Sequence, residues 1–379
     1  MKRILIIHQS AELYGSDKTL LIFLQNINKN NFFTVVVLPN EGPLKAELEK
    51  IGIKVVITPV LKLYRDIFTF KNGIKFIKES FKSISIVNKL HKEHNFDIVY
   101  SNTLAVLLGA LFSLKKQIKH IWHVHEIIEH PKTIAWLFPK LLYYFSNTII
   151  CNSEATKKNI VKREKRNLNI TIVVHNGIQF NEISNHLKKS DFGFSENDII
   201  ITLVGRISRL KGHNWLLQTF NEYFKNNNSI KLLFVGSPVP NQEHYLHIIE
   251  DYVNSNNLSK SVKIIPFTLN LEGIWSITDI AVMPSTEKES FGLVAAEAMM
   301  AKKPVVAANH GGLMEIIVDN ETGYLVEPNN KEVFKEALEK LIMNPDLRTN
   351  FGENGFQRAT KKFSVENYVR KIEDILENI

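Results

Sequence analysis

The sequence predicts an α/β protein built from two tandem domains, each a doubly wound parallel sheet. Short β-branched and apolar runs alternate with helical segments through both halves, a pattern typical of parallel strands covered by helices on both faces. The alternation stops at a polar stretch, 179–198, and then begins again. The length of 379 residues also exceeds that of one ordinary domain.

Composition restricts the class of protein. An apolar content of 44% with 23% charged residues is typical of soluble globular proteins and argues against disorder. The single cysteine, Cys151, excludes a disulfide framework and favours the cytoplasm. The longest apolar stretch, 104–114, is shorter than the ~20 residues of a membrane-spanning helix. We expect residues 1–8 to form a first strand and not a signal peptide.

Seven strands are predicted in the first half. They lie at 3–8, 34–38, 55–58, 98–101, 120–124, 148–152 and 170–175. Helices are predicted near Asp17, at 44–51 and from Leu104. Because a helix separates most consecutive strands, the sheet is expected to be parallel. We assign residues 1–178 to this domain.

The second half repeats the theme after a linker predicted at 179–198. Its strands are predicted at 199–205, 231–236, 262–266, 280–283 and 304–308, with helices at 213–225 and 245–254. The domain is assigned to 199–360 and a C-terminal segment to 361–379. In such sheets ligands bind beyond the carboxyl ends of the strands, so two facing edges would form a cleft.

Two cations follow the predicted strand at 199–205. Arg206 and Lys211 stand in the loop between Gly205 and Gly212. A guanidinium and an ammonium at this place suit a diphosphate. A solvated basic loop explains the same residues equally well.

Two acids flank the start of an apolar helix that follows the strand at 280–283. Gly292 allows close approach of a ligand, and the N–H groups at the helix start suit phosphate oxygens. Glu297, about one turn into the helix, is placed to accept hydrogen bonds from a ribose diol, and Glu289 is placed to meet a sugar. The eight-residue spacing of the acids is weak evidence for a binding site by itself, but their position after a strand is stronger evidence.

A glycine follows the first predicted strand. Gly15 would let a sugar or diphosphate approach, and Ser16 or Asp17 would cap the next helix. Capping alone explains Ser16 and Asp17 about as well. No Gly-x-Gly-x-x-Gly run and no P-loop lysine occurs, which argues against binding of dinucleotides or ATP by those motifs.

Two histidines end the strand at 120–124. Alternate spacing puts His123 and His125 on one face, where one would line the cleft and the other would support it. A structural role in the core is equally consistent with either residue. Further ligands are not apparent near them, so no metal site is predicted.

Weaker features fit the same layout. They are Ser101-Asn102, Ser153, Asn176-Gly177, and Gly311-Gly312 with Glu315, and each is also explained by a turn.

In combination these residues resemble the family 4 retaining glycosyltransferases, which have the GT-B fold. The resemblance rests on Gly15, the strand-end histidines, Asn176-Gly177, Gly205-Arg206 with Lys211-Gly212, Asp279 before Met283-Pro284-Ser285, the run from Glu289 to Glu297, Gly311-Gly312 with Glu315, and Thr322-Gly323. It implies two Rossmann-like domains facing a cleft, with a C-terminal helix that crosses back to the first domain.

The implied activity is transfer of a hexose-type sugar with retention of anomeric configuration and without a metal. The donor is expected to be a nucleotide sugar, with a UDP- or GDP-sugar favoured, and no other cofactor is expected. The acceptor is expected to be a glycan or lipid-linked molecule bound on the first domain. The expected role is assembly of a bacterial-type surface polysaccharide such as capsule or lipopolysaccharide.

The resemblance also assigns roles to residues. Arg206 and Lys211 would hold the donor diphosphate and stabilise the leaving group, and Glu297 would bind the ribose. The expected contacts to the donor sugar and phosphate are Glu289 with the loop and helix start at Phe291, Gly292 and Leu293, together with Gly15 and Ser16. His125 or His123 would meet the donor sugar, and the sequence does not decide between them.

Two positions depart from the family pattern. Phe267-Thr268 stand where the family usually has a glycine near the nucleotide base, so the base is left open. Gly236-Ser237-Pro238 replaces the commoner Gly-x-Gly.

Charge is unevenly distributed. Residues 1–190 contain 28 Lys and Arg against 14 Asp and Glu, and residues 191–379 contain 19 against 25. Many lysines and phenylalanines lie between Lys62 and His94, which predicts an interfacial helix that binds anionic lipid or a lipid-pyrophosphate acceptor at the inner face of the plasma membrane. An ordinary amphipathic helix is the alternative. A nucleic-acid-binding protein and a non-catalytic binding subunit of the same shape are weaker alternatives, and no nucleic-acid partner is expected.

Overall fold

The computed structural model describes residues 1–62, 70–180, 187–239 and 241–379, with only the backbone for 70–77. These residues form two compact units, Met1–Gly177 with Ser364–Ile379, and Ile178–Phe363. In the part of the chain so described, no helix combines the length and hydropathy needed to span a membrane.

The first unit contains a seven-stranded parallel sheet. Its strands are β1 (Lys2–His8), β2 (Phe32–Leu38), β3 (Lys54–Ile57), β4 (Ile98–Asn102), β5 (Lys119–Val124), β6 (Thr148–Cys151) and β7 (Thr171–Val173). Their order is β3-β2-β1-β4-β5-β6-β7, so the direction of winding reverses between β1 and β4. At this point the register pairs Ile4 with Ile98 and His8 with Asn102.

Helices connect these strands. They are α1 (Gly15–Asn26), α2 (Pro43–Lys50), α3 (Phe70–His94), α4 (Leu108–Lys116), α5 (Lys132–Phe145) and α6 (Glu154–Arg163), followed by a 3₁₀ turn at Lys165–Ile170. Apolar clusters lie on both faces of the sheet, as expected when helices cover both sides of parallel strands.

The second unit repeats this architecture with six parallel strands. They are β8 (Ile199–Val204), β9 (Ile230–Val235), β10 (Val262–Ile265), β11 (Ile280–Met283), β12 (Val305–Ala308) and β13 (Gly323–Val326), in the order β10-β9-β8-β11-β12-β13. Its helices are α7 (His213–Tyr223), α8 (His244–Ser255), α9 (Leu271–Ile277), α10 (Leu293–Met300), α11 (Leu313–Ile316), α12 (Lys331–Met343) and α13 (Pro345–Lys362).

The predicted fold class is confirmed, and every predicted strand is present within two residues of its expected bounds at each end. One strand, β13, was not predicted. The helix expected from Leu104 begins at Leu108 because the preceding turn is held to the sheet. There the N–H of Thr103 donates to His123 O, and the indole of Trp122 donates to Thr103 O.

The described parts of the stretch expected to link the domains, residues 179–180 and 187–198, belong to the second unit. Phe194 is buried in the core of that unit, and Lys189 Nζ donates to a carboxylate oxygen of Asp279 at 2.9 Å. The first unit therefore ends at Gly177, and the second extends to Phe363. Residues 181–186 of the expected linker lie outside the described residues.

The last helix, α14 (Val365–Asn378), packs in the first unit, as predicted. Tyr368, Val369, Ile372 and Leu376 are buried in the cluster that covers one face of β1. Lys2 Nζ donates to Leu376 O and Glu377 O, each at 2.8 Å, and so places a cation at the negative end of this helix.

Replacing Ile372 with alanine should therefore destabilise the first unit by about 2–5 kcal/mol, because a fully buried side chain leaves a cavity. Hydrogen–deuterium exchange should become faster in α1 and β1 and remain unchanged in the second unit. The exposed neighbour change Lys371→Ala is the control, with an effect within about 0.5 kcal/mol. If the exchange rates of α1 and β1 were the same in Ile372→Ala and Lys371→Ala, α14 would not be part of this core.

Candidate functional site

Three loops of the second unit meet at one edge of its sheet. They follow β8, β11 and β12, which are neighbours in the sheet, and the winding reverses between β8 and β11. Backbone bonds join the loops: Thr286 N donates to Leu210 O at 2.9 Å, and Gly312 N donates to Glu289 O at 2.7 Å. This carboxyl edge at the reversal point is where doubly wound sheets bind ligands.

Glycine is required where these loops touch. A Cβ on Gly212, whose φ is +77°, would lie 2.2 Å from Pro284 O. A Cβ on Gly311, whose φ is +62°, would lie 2.3 Å from Glu289 O. Both glycines therefore allow two backbones to approach more closely than any side chain permits.

The central contact is an ion pair between Lys211 and Glu289. Lys211 Nζ lies 2.9 Å from Glu289 Oε1, and the hydroxyl of Ser285 donates to the same oxygen. The two side chains are 27% and 15% exposed. Burial raises the pKa of the Glu289 carboxyl, but Lys211 and the Ser285 hydroxyl outweigh that effect, and the net pKa is lowered. Glu289 is therefore an anion in this site.

The other predicted donor residues of this edge lie on the same loops. Arg206 is exposed in the loop after β8. Gly292, with φ of +107°, precedes α10, whose first residue is Leu293. Phe291 is buried beside this turn, and Glu297 is half-buried in the second turn of the helix. The first N–H groups of a helix have no partner within it, so this start suits an anion.

Phe267 and Thr268 lie farther along the same edge, after β10, which is two strands from β8. Phe267 N donates to Ser237 Oγ at 3.0 Å, and Thr268 Oγ1 accepts from Asn270 N at 3.1 Å. The two positions that depart from the family pattern, Phe267 and Ser237, are therefore in direct contact. The sequence did not predict this pairing.

The first unit carries a buried polar group at its own reversal point. We call it the histidine cluster, and it consists of His8, Asp17, Tyr100, Asn102, His123 and His125. Its members come from α1 and from the ends of β1, β4 and β5. Asp17 Oδ1 lies 2.6 Å from His8 Nε2, and Asn102 lies between His8 and His125.

The structure distinguishes the two histidines that the sequence left open. His123 has no exposed surface, and burial lowers its pKa to about 3. His125 lies just beyond the end of β5, retains 8% exposure, and also has its pKa lowered, first by burial and then by His123 and His8. Their ring centroids are 4.0 Å apart. Both are therefore neutral, and His125 is the more accessible of the two.

The glycine loop before α1 contains the remaining predicted residues. Gly15 is the first residue of the helix, and Ser16 is half-buried beside it. Asp17 accepts a hydrogen bond from Tyr14 N at 2.9 Å, as a capping residue does. Its other carboxylate oxygen is hydrogen-bonded to His8 Nε2. Capping therefore accounts for only part of what Asp17 contacts.

Some site residues were not predicted, and Asn102, the last residue of β4, was predicted only as a weak feature. His8 is the last residue of β1, so the strand-end criterion applied to every strand would have found it. Ser285 is predicted only as part of a family motif. His310 is not among the predicted residues, yet its Nε2 lies 2.9 Å from Ser285 O and joins two loops of the second unit.

Within the described ranges, no group of three or more His, Cys, Asp or Glu side chains is arranged to hold a metal ion.

Comparison with known proteins places the chain in a family. The family model described as glycosyltransferase family 4 matches residues 16–182, and that described as glycosyl transferases group 1 matches residues 184–358. An uncharacterized glycosyltransferase of Methanocaldococcus jannaschii is 30% identical over 85% of this chain and 84% of its own length. The chain belongs to glycosyltransferase family 4.

A second relative of this glycosyltransferase is the capsular polysaccharide biosynthesis glycosyltransferase CapM of Staphylococcus aureus. It is 28% identical over 84% of each chain. Among solved structures, Anabaena HepE in complex with UDP and glucose is 22% identical and superimposes with a TM-score of 0.85 over the whole of both chains. That likeness shows the GT-B fold.

The ion pair allows a direct test in this glycosyltransferase. Lys211→Met should lower the free energy of unfolding by about 1–3 kcal/mol, because Glu289 is left as a poorly solvated anion without its cation. The double change with Glu289→Gln should recover most of that loss, since no charge is then left unpaired. Urea unfolding at neutral pH measures both variants.

The matched control is Lys331→Met. Lys331 pairs with Glu222 at 2.8 Å, but these side chains are 31% and 49% exposed, so the loss should stay within about 0.5 kcal/mol. If Glu289→Gln does not offset Lys211→Met, the two residues are not coupled as described.

Proposed function

We propose that this glycosyltransferase transfers a hexose from a nucleotide diphosphate donor, with retention of anomeric configuration and without a metal, to a glycan or lipid-linked acceptor. The observation that carries the proposal is the contact of Lys211 with Glu289 beside the start of α10, at the reversal point of the second sheet. HepE, which was solved with UDP and glucose, and CapM, named for capsular polysaccharide biosynthesis, support the substrate classes.

Charge favours a diphosphate at this edge only if several groups act together. Glu289 offsets the charge of Lys211, so this ion pair adds little net positive charge at the edge. A diphosphate carries more negative charge than the Arg206 guanidinium alone would offset. We therefore propose that the N–H groups at Leu293 and the start of α10 share the phosphate oxygens with Arg206 and Lys211.

The leaving group is where these cations would act. As the bond between the sugar and the diphosphate breaks, negative charge builds up on the phosphate oxygen. Lys211 is held in place by Glu289, whose carboxylate also accepts from the Ser285 hydroxyl, so it needs no rearrangement to stabilise that charge. Glu297 is proposed to accept hydrogen bonds from the ribose diol, and Glu289 to meet the sugar.

In the first unit, we propose that His125 contacts the sugar being transferred and that His123 supports its ring. His123 is fully buried, whereas His125 keeps 8% exposure, and this difference supports the assignment of the two roles. Both rings are kept neutral by burial, which suits hydrogen bonding to a sugar hydroxyl and not ion pairing with phosphate.

Lys211→Ala should lower kcat/KM for sugar transfer by about a hundredfold or more, since one preorganised charge at the leaving group is lost. The assay uses UDP- and GDP-sugars with a lipid-linked or glycan acceptor, and Lys331→Ala is the matched control with unchanged activity. Binding of donor without turnover by the wild-type protein would favour the non-catalytic alternative.

The wild-type reaction tests the finer features of the same proposal. NMR of the product should show the anomeric configuration of the donor, and transfer should continue in EDTA. An inverted product, or loss of activity with the chelator that Mg²⁺ restores, would contradict retention or metal independence.

We also propose that the first unit meets an anionic membrane surface through α3 and α4. A pocket of about 390 Å³ there is lined by Phe81, Ile84, Ser85, Asn88, Lys89, Lys92 and Lys115. Phe81 is 74% exposed beside the three lysines. Residues 63–69 of the predicted lipid-binding segment lie outside the described residues. An apolar side chain among cations suits the boundary between headgroups and acyl chains.

Vesicles with anionic lipid should retain the protein at low salt and release it at high salt. Reversing the charge of Lys89, Lys92 and Lys115 to Glu should weaken binding more than tenfold, at about 1 kcal/mol for each lysine. The same change at the exposed Lys158, Lys162 and Lys165 is the control for net charge. Absence of binding at low salt, or equal loss in both triple variants, would refute a specific surface.

A further inference from the structure

The histidine cluster contains a continuous hydrogen-bonded chain from Asp17 to His125. His8 Nε2 lies 2.6 Å from Asp17 Oδ1, His8 Nδ1 lies 2.9 Å from Asn102 Nδ2, and Asn102 Oδ1 lies 2.9 Å from His125 Nε2. All four residues are buried. The chain joins α1 to the ends of β1 and β4 and then to the residue after β5.

The direction of this chain is determined at Asp17. A carboxylate only accepts hydrogen bonds, and Asp17 already accepts from Tyr14 N at 2.9 Å and from Ser10 Oγ at 3.3 Å. His8 must therefore carry its proton on Nε2 and donate it to Asp17. In the neutral ring, Nδ1 then has a lone pair and accepts.

Each following link is determined by the one before it. Two groups of Asn102 lie near His8 Nδ1, the side-chain NH₂ at 2.9 Å and the backbone carbonyl oxygen at 3.2 Å, and a lone pair on Nδ1 can accept only from the NH₂ group. The amide oxygen is then turned towards His125. That oxygen only accepts, so His125 must carry its proton on Nε2. No described residue hydrogen-bonds to Nδ1 of His125, and this nitrogen is left as an acceptor.

We propose that Asp17 is a positioning residue that, through His8 and Asn102, holds His125 in the Nε2–H tautomer and so presents an unprotonated Nδ1 to a sugar hydroxyl. The proposal depends on the proposed role of His125 for its effect on catalysis, but not for the tautomer itself. Reversal of the hydrogen-bonded chain would make Nδ1 of His125 a donor, so the hydroxyl would have to reverse its own hydrogen bond to keep the contact.

The substitution Asp17→Asn can reverse every link. The introduced NH₂ group would donate to His8 Nε2, His8 Nδ1–H would donate to the oxygen of Asn102, and the amide nitrogen of Asn102 would donate to His125 Nε2. The proton of His125 would then move to Nδ1. Asp17→Glu retains a carboxylate and should retain the wild-type tautomer.

The tautomer is measured directly by ¹⁵N NMR of histidine-labelled full-length protein, with the His125 signals assigned from their absence in His125→Gln. Protonated and unprotonated neutral ring nitrogens have well-separated shifts. The wild-type protein should show Nε2 protonated and Nδ1 unprotonated, and Asp17→Asn should show the opposite. A wild-type spectrum with Nδ1 protonated overturns the proposal without any variant of Asp17.

Kinetics provide the second measurement. Asp17→Asn should lower kcat about tenfold to a hundredfold, the usual effect of removing a group that orients a functional histidine, with KM for the donor nearly unchanged. Thr19→Val is the control, because Thr19 is buried on the same helix and its hydroxyl donates to Ser16 O outside the chain. It should change stability without changing the His125 tautomer.

Asn102→Leu tests transmission through the middle of the chain. In that background Asp17→Asn should no longer alter the His125 signals, whereas an unchanged response would overturn the proposed route. Suppose that Asp17→Asn changes the His125 tautomer as expected but that His125→Ala leaves sugar transfer unaffected. The proposed role of His125 is then wrong, and the hydrogen-bonded chain stands. If Asp17→Asn is folded and its His125 tautomer is unchanged, the hydrogen-bonded chain is wrong.

Discussion

The arrangement of both units depends on one constraint, which is that all strands of a parallel sheet end at the same edge. In each unit the winding reverses between two adjacent strands, β1 and β4 in the first and β8 and β11 in the second. The connecting helices leave in opposite directions there, and polar side chains at the strand ends converge. His8 and Asn102 meet in this way, and so do Lys211 and Glu289, although 94 and 78 residues respectively separate them along the chain.

The two edges differ in electrostatics. In the second unit the polar groups are charged and partly exposed, and an ion pair is shared with the Ser285 hydroxyl. In the first unit Asp17 is buried together with His8, and both His123 and His125 have their pKa values lowered by burial. The charged, partly exposed edge of the second unit suits binding of a charged group. The buried histidine cluster of the first unit suits hydrogen bonds of defined direction to an uncharged group.

Much of the fold follows from local patterns. Runs such as 34–38 and 199–204 are so rich in β-branched residues that no other element fits them. The helix expected from Leu104 began four residues late because a hydrogen bond from the Trp122 indole, which is invisible in the sequence, holds Thr103 O. The sequence placed Arg206, Lys211, Glu289 and Glu297 after strands, but it could not show that Lys211 and Glu289 touch. Contacts of that kind depend on which strands are neighbours.

The course of the chain through the two units has a consequence for folding during synthesis. The second unit is continuous in sequence, from Ile178 to Phe363, whereas the core of the first includes Ile372 and Leu376 of α14. The first 177 residues leave the ribosome first but lack four side chains of their own core until the last helix emerges. The first unit therefore cannot complete its core before α14 has been synthesised, although domains are usually completed from the N-terminus onward. Until then the apolar surface of α1 and β1 that α14 covers has no such cover.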